Sequence, residues 1–240
     1  MKLSIIIPVY NEQRTINEVI ERVLAVDLGP IEREVIVAND GSSDDTRRVL
    51  EERGWSRNPC IRLVENPINL GKGAAVRHGL ALATGDVMLV QDADLELNPE
   101  EYGNLLAPIL AGHADVVYGS RFLNPPTGIS RRSRFANRAL TMLTNLLFGG
   151  SLTDMETAYK VFKRDVVRSI RLRAVGFDFE PEVTARLLGA GHRIVEVPIG
   201  YQPRTADEGK KIGWIDGFDA VYMLLKCRFT PGAGVNRGSR

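Results

Sequence analysis

Short apolar, β-branched runs alternate with longer stretches of helical periodicity through the first half of the chain. Residues 3–8 (LSIIIP), 34–38 (EVIVA), 61–65 (IRLVE), 86–91 (DVMLVQ) and 114–118 (ADVVY) predict buried strands, because an apolar run rich in Val and Ile suits a sheet covered on both faces. Between them, Ile16, Val19, Ile20, Val23 and Leu24 mark one face of a helix over 12–26. Residues 44–53 predict a charged helix opened by the capping run Gly41-Ser42-Ser43-Asp44, residues 73–84 an Ala-rich helix, and residues 99–112 a helix with Pro99 near its start. This order argues for an α/β fold with a mostly parallel sheet and helices on both faces. The second half is less regular. It predicts a strand leading into a helix over 161–170, a helix over 180–190 and a strand over 193–198, with mixed basic and apolar helices over 131–148 and 215–229. Residues 1–229 read as one domain, and 230–240, rich in Gly and Arg, as a disordered tail.

In parallel sheets ligands bind at the carboxyl ends of the strands. Four polar clusters follow strands directly: Pro8-Val9-Tyr10-Asn11-Glu12, Asn39-Asp40-Gly41-Ser42, Gln91-Asp92-Ala93-Asp94 and Gly119-Ser120-Arg121. They should gather along one edge, as a nucleotide site requires. Asp92 and Asp94, one residue apart at a strand end, suit a hard divalent cation, Mg²⁺ or Mn²⁺, with Glu96 as a third oxygen donor directly or through water. Asp40 is suited to accept hydrogen bonds from a base edge or ribose, or else to form the turn beside Gly41. The Tyr10 ring can pack on a base, and Asn11 is either part of that contact or a helix cap. Asn69-Leu70-Gly71-Lys72-Gly73 opens a helix without the spacing of a phosphate loop, and leaves Lys72 to face phosphate or base. Arg121, Arg131, Arg132, Arg204, Lys210 and Lys211 are the cations available to a pyrophosphate and a phosphate acceptor; the alternative for each is solvated surface.

Composition narrows the class. The 240 residues carry 31 Lys plus Arg against 30 Asp plus Glu, so no overall charge points to nucleic acid. Cys60 and Cys227 stand far apart without clustered His, which argues against a zinc site or a disulfide framework and for two free thiols. Met1-Lys2 leads straight into a strand and no apolar run is long enough to span a bilayer. The expectation is a cytoplasmic protein that can still lie on a membrane surface.

With these residues in hand, the chain resembles the family 2 glycosyltransferases of the GT-A, Rossmann-like fold. Within them it is similar to the dolichyl-phosphate mannose and glucose synthases and their bacterial polyprenyl-phosphate relatives. The likeness runs from about Leu3 to Phe229 and rests on SIIIPVYNE, AND ending in Asp40, QDADLE and YGSR ending in Arg121, in that order. It implies that Pro8, Tyr10, Glu12, Ala38 and Asp40 contact the nucleoside, and that Asp92, Ala93, Asp94 and Glu96 handle metal and diphosphate. Many mannose synthases carry Gln where Glu96 stands. Tyr201-Gln202-Pro203-Arg204 with Gly209-Lys210 resembles a late basic pair, placing Arg204 and Lys210 on phosphates in a closing loop. The runs 154–160 and 208–214 resemble bacterial enzymes that use UDP-hexoses or UDP-N-acetylhexosamines, such as polyprenyl-phospho-N-acetylgalactosaminyl synthases.

The resemblance implies a metal-dependent, inverting transfer from a nucleotide sugar, a UDP-sugar by preference and GDP-mannose as the alternative, to a polyprenyl phosphate for cell-envelope glycan synthesis. A soluble acceptor is the rival reading. The Q-x-x-R-W run of processive polysaccharide synthases is missing, and the first strand is followed by PVYNE rather than the Gly-rich basic signature of a nucleotidyltransferase. A lipid acceptor requires a membrane surface or a separate small membrane-protein subunit as partner; a homo-oligomer stays open. Arg131, Arg132, Arg134 and Arg138 are placed to meet anionic head groups with Phe135, Leu140 and Leu143 inward, and Trp214, Phe218, Leu225 and Phe229 to do the same. The alternative for both helices is ordinary core packing.

Overall fold

The computed structural model describes residues 1–124, 128–203 and 214–230, without the side chains of 214–216. The elements run β1 (Lys2–Val9), α1 (Ile16–Ala25), β2 (Glu32–Asn39), α2 (Thr46–Glu52), β3 (Ile61–Glu65), α3 (Lys72–Leu82), β4 (Val87–Val90), α4 (Tyr102–Leu110), β5 (Val116–Ser120), α5 (Arg131–Phe148), β6 (Lys160–Lys163), α6 (Arg164–Ser169), α7 (Phe179–Gly189), β7 (Ile194–Pro198) and α8 (Trp214–Phe229). The seven strands form one sheet in the order β3-β2-β1-β4-β6-β5-β7. All neighbours pair in parallel except β6, which is antiparallel to both β4 and β5.

The apolar runs are strands because both faces of the sheet are covered. Along β1, Leu3, Ile5, Ile7 and Val9 enter one core while Ile6 enters the other, the two-residue alternation of a pleated strand. The first core is closed by α1, α2 and α4, and the second by α3, α6, α7 and α8. Burying each such aliphatic side chain stabilises the fold by roughly 1.5–3 kcal/mol. Helix α1 starts at Ile16, later than its periodicity predicts, because the Glu12 carbonyl accepts the amides of both Thr15 (3.1 Å) and Ile16 (3.0 Å) in a turn.

Helix α5 departs from the expected pattern. Its buried positions are polar, Asn137, Thr141 and Thr144, while Phe135, Met142 and Leu146 stand 77%, 71% and 81% exposed. Leu140 and Leu143, grouped with Phe135 on sequence grounds, instead pack against the second core. The reason is tertiary: the polar inner stripe hydrogen-bonds the segment that follows the helix. Asn137 Nδ2 donates to Asp154 (3.1 Å), and Thr141 Oγ1 accepts from the Met155 amide (3.1 Å). In α8, Ala220, Met223, Leu224 and Cys227 are buried whereas Tyr222 and Phe229 are exposed, and the helix lies beside α5.

Gly71 shows why one backbone position is restricted. It has φ +104°, its amide donates to Asp40 Oδ2 at 2.6 Å, and an added Cβ would run into the Val175 carbonyl. Gly71→Ala is therefore expected to destabilise the protein by about 1–3 kcal/mol. The check is a urea titration, read as a lower midpoint with an unchanged slope.

Candidate active site

The strand register collects the polar clusters. Val90 pairs with Ile6 on one side and with Lys160 on the other, and Lys160 also pairs with Tyr118. The chain leaves β1, β2, β4 and β5 at this edge, and it enters the antiparallel β6 from the same edge. Residues 8–12, 39–42, 91–94 and 119–121 are joined there by 154–159, a segment marked in the sequence only by its resemblance to bacterial enzymes.

The carboxylate turn is held from behind. Gln91 is fully buried, and its Oε1 accepts from both Tyr102 Oη and Tyr159 Oη at 2.8 Å. Its Nε2 donates to the Asp92 carbonyl at 3.0 Å. Ala93 is buried and its carbonyl accepts from Thr15 Oγ1 at 2.9 Å, so the flanking Asp92 and Asp94 are left half-exposed. Asp94 Oδ1 accepts the Glu96 amide at 3.1 Å, and Glu96 Oε2 accepts from Tyr201 Oη at 3.0 Å. Among the described residues no three His, Cys, Asp or Glu side chains close around one point. Two carboxylates that leave positions for phosphate and water are nevertheless the usual donor set for Mg²⁺. The Lys72 ammonium, 2.9 Å from Asp92 Oδ1, shows that this turn accepts a cation. The residues present fit a divalent ion.

Lys72 also reaches Glu180 Oε1 at 2.8 Å. Burial works against its charge, but Asp92 and Glu180 outweigh it and raise its pKa above the ordinary lysine value. At the ends of β1 and β2, Pro8 and Ala38 are adjacent in register and buried, with Tyr10 and Glu12 half-buried beyond them. Asn11 has φ +53° and binds across to the next loop: its Oδ1 accepts the Ser43 amide at 2.8 Å and the Asp44 amide at 3.3 Å. Asp40 is 2% exposed and accepts from Asn66 Nδ2 (2.7 Å), the Leu70 amide (3.1 Å) and the Gly71 amide (2.6 Å). Both carboxylate oxygens are thus engaged in holding the loop that delivers Lys72.

Arg121 is fixed by a residue that spacing alone did not single out. Its Nε and Nη2 lie 2.7 Å and 2.8 Å from the two oxygens of Asp154, which is fully buried. The Arg121 guanidinium also stands 5.2 Å from the Tyr201 ring. Burial opposes the guanidinium charge, and the neighbouring Asp154 more than restores it. Glu196 of β7 accepts the Asp154 amide at 2.9 Å. Behind this pair lies Lys160, with no exposed surface, donating to the carbonyls of Met155 and Thr157 and lying 4.2 Å from the Tyr118 ring. Burial pulls its ammonium down to about 8, against the charges of Glu180, Glu156 and Asp154. Glu156 Oε1 is buried without a hydrogen-bond partner among the described residues. Burial pushes its carboxyl up to about 7, with Glu180 adding to the rise and Lys160 and Arg121 opposing it. Asp154, Glu156, Lys160 and Glu180 lie far in sequence from Asp92; the signal for the first three was the resemblance of the 154–160 run to bacterial enzymes, and Glu180 had none. Arg204, Lys210 and Lys211 lie outside the described residues, as do 231–240 of the tail.

The sheet with a carboxylate turn at its strand edge is that of a glycosyltransferase. The chain belongs to glycosyl transferase family 2, whose family model matches residues 4–171. It is 31% identical over 238 residues to the undecaprenyl-phosphate mannosyltransferase of Micrococcus luteus, covering 94% of this chain and 93% of that one. It is 28% identical over 216 residues to the glycosyltransferase AglD of Haloferax volcanii, covering 85% of this chain and 34% of AglD. The low-salt glycan biosynthesis hexosyltransferase Agl6 of the same organism is 30% identical over 227 residues, covering 93% of this chain and 53% of Agl6. The chain thus spans about a third and a half of the two Haloferax proteins. In three dimensions it is similar to glucosyl-3-phosphoglycerate synthase from Mycobacterium tuberculosis in complex with Mn²⁺, uridine diphosphate and glucosyl-3-phosphoglycerate. The TM-score is 0.72 at 23% identity, over 97% of this chain and 82% of that one, a likeness of fold. Among the described residues no helix is long and apolar enough to cross a membrane.

The raised pKa of Glu156 has a sign that can be checked. Its protonated form is favoured in the fold, so the associated stability is present at low pH and lost as pH rises through about 7. Glu156→Gln keeps the neutral form at every pH. The variant should melt with wild type at pH 5 and above it at pH 8.5, by roughly 2–4 °C for each ~1 kcal/mol removed. Equal melting curves at both pH values would mean that Glu156 is not held neutral by burial.

Proposed function

We propose that the chain transfers a hexose or N-acetylhexosamine from a nucleotide-diphosphate sugar to a polyprenyl phosphate, with a divalent cation and with inversion at the anomeric carbon. The observation that carries this reading is the meeting of Asp92, Asp94, Lys72 and Arg121 at the strand edge, carboxylates for a cation beside cations for phosphate. A UDP-sugar is the favoured donor. The mannosyltransferase name of the Micrococcus relative supports the polyprenyl-phosphate acceptor and keeps GDP-mannose as the alternative.

Pro8, Tyr10, Glu12 and Ala38 would line the nucleoside cradle, and Asp40 would shape its wall through the 66–71 loop. Asp92 and Asp94 would hold Mg²⁺ or Mn²⁺, with Glu96 alongside; such an ion, when bound, supplies a Lewis acid for the leaving diphosphate. Arg121, preorganised by Asp154, places positive charge beside the phosphates at no reorganisation cost. Arg204 and Lys210 would add to it from the segment outside the described residues. A phosphate monoester has a second pKa of about 6, so the acceptor arrives largely as the dianion and requires no general base. The protein's remaining task is alignment and exclusion of water, and attack from the face opposite the leaving group inverts the sugar.

The lipid acceptor gives the inverted helix a purpose. Phe135, Met142 and Leu146 point outward from a helix with no acidic residue, alongside Arg131, Arg132, Arg134 and Arg138, and Tyr222 and Phe229 of α8 extend the apolar surface. This face suits peripheral docking on the anionic inner surface of the cell membrane.

The test presents polyprenyl phosphate in anionic vesicles with UDP-glucose, UDP-GlcNAc, UDP-GalNAc or GDP-mannose in turn. One donor should label the lipid, EDTA should stop it, and Asp92→Ala or Asp94→Ala should lower turnover roughly 100-fold or more. Undiminished turnover in both variants would sink the scheme, whereas labelling of a soluble phosphate alone would replace the acceptor. Phe135→Asp combined with Leu146→Asp should abolish cosedimentation with the same vesicles; unchanged cosedimentation would move the docking face elsewhere.

A further inference from the structure

Lys72 stands between carboxylates from two distant parts of the fold. Its Nζ lies 2.9 Å from Asp92 Oδ1, at the end of β4, and 2.8 Å from Glu180 Oε1, in the first turn of α7. Both partners are firmly placed. The Gly73 and Ala74 amides donate to the carbonyls of Gly176 (3.1 Å) and Val175 (3.0 Å), joining the start of α3 to the approach of α7. Glu182 Oε2 accepts the amides of Arg173 and Ala174 at 2.7 Å, so the same segment is tied to α7 itself. The two anchors are not equivalent. Asp92 is half of the carboxylate turn, whereas Glu180 is 5% exposed and takes no part in that turn.

This asymmetry has a physical consequence, which rests on reading Asp92 and Asp94 as the divalent-cation site. An ammonium this close to Asp92 balances the carboxylate when no divalent ion is bound, and opposes one that arrives. With a single anchor Lys72 would only compete. With Glu180 as a second anchor it can release Asp92 without becoming an unpaired buried charge. We propose that Lys72 is an exchangeable counter-ion: it guards Asp92 while the cation site is empty, and is retained by Glu180, facing the donor diphosphate, once the divalent ion is bound. Glu180 is then a positioning residue that acts through Lys72.

The proposal predicts effects of opposite sign on ion binding, read as the loss of the free Mn²⁺ electron-spin signal on titrating protein without nucleotide. Lys72→Met removes the competitor and should tighten Mn²⁺ binding about tenfold. The same variant should weaken binding of UDP and GDP in saturating Mn²⁺, because the diphosphate loses its cation. Glu180→Gln should weaken Mn²⁺ binding several-fold by leaving Lys72 on Asp92. Glu180→Asp separates reach from charge: it keeps the carboxylate but shortens it, and should behave like Glu180→Gln. Thermal melting of each variant confirms that it is folded. Unchanged or weaker Mn²⁺ binding in folded Lys72→Met overturns the exchange, and so does Glu180→Asp that binds Mn²⁺ like wild type, which would reduce Glu180 to a fixed charge. Asp94→Ala tests the underlying reading separately: if wild type binds no Mn²⁺, or Asp94→Ala binds it equally well, the cation site itself is misassigned and the exchange falls with it.

Discussion

A carboxylate with no exposed surface has to be matched on every side, and Asp154 is that carboxylate here. Leaving it unpaired would cost several kcal/mol, so its surroundings are strongly constrained. Arg121 from the end of β5 takes both oxygens, Asn137 from α5 takes a further bond, and Glu196 from β7 holds its amide. Three elements separated in sequence are thereby fastened to one point at the sheet edge. The position of Arg121 follows from this match, and with it the placement of positive charge beside the carboxylate turn.

The route by which Asp154 arrives is equally constrained. After α5 the chain is still at the carboxyl edge of the parallel strands, so the next strand has to run back. That is why β6 is antiparallel between β4 and β5. The reversal brings the 154–159 segment against the turn at Asp92. It also explains the polar inner face of α5, where Asn137 and Thr141 bond the 154–155 segment while Phe135, Met142 and Leu146 are turned outward. The helix that braces this edge is therefore also the one with an exposed apolar and basic surface, the surface that the proposed function assigns to a membrane. A lipid phosphate attacked at that edge would need such proximity.

Electrostatic balance at the edge is local and dense. Asp92, Asp154, Glu156 and Glu180 face Lys72, Arg121 and Lys160 within a few side-chain lengths, all at least partly removed from water. In such surroundings a charge is worth more than in water, and each unmatched one is costly. Charged partners with more than one anchor, as at Lys72, permit rearrangement without leaving a bare charge.

Much of this was legible along the chain. Buried β-branched runs and helical periodicity predicted five strands of the first half, and the polar clusters that follow strands gather along one edge as expected, because parallel neighbours end on the same side of the sheet. The pair Asp92 and Asp94 was readable from its place directly after a strand, among the other polar clusters; that it holds a cation is part of the proposal. Other parts depended on contacts between residues far apart in sequence. Asp154 and Glu180 join the site only when β6 reverses and the start of α7 meets the start of α3. Asp40 has the composition of a nucleoside acceptor, yet its oxygens are taken by amides of a loop about thirty residues away. In α5 the polar Asn137 and Thr141 face in beside Leu140 and Leu143 while Phe135, Met142 and Leu146 face out, because hydrogen-bonding demand from Asp154 and its neighbours outweighs the burial of Phe135 and Leu146. Local pattern determined the elements and the chemical types at the edge; tertiary packing alone decided which charges meet, since pairing depends on distance in space and periodicity carries no information about it.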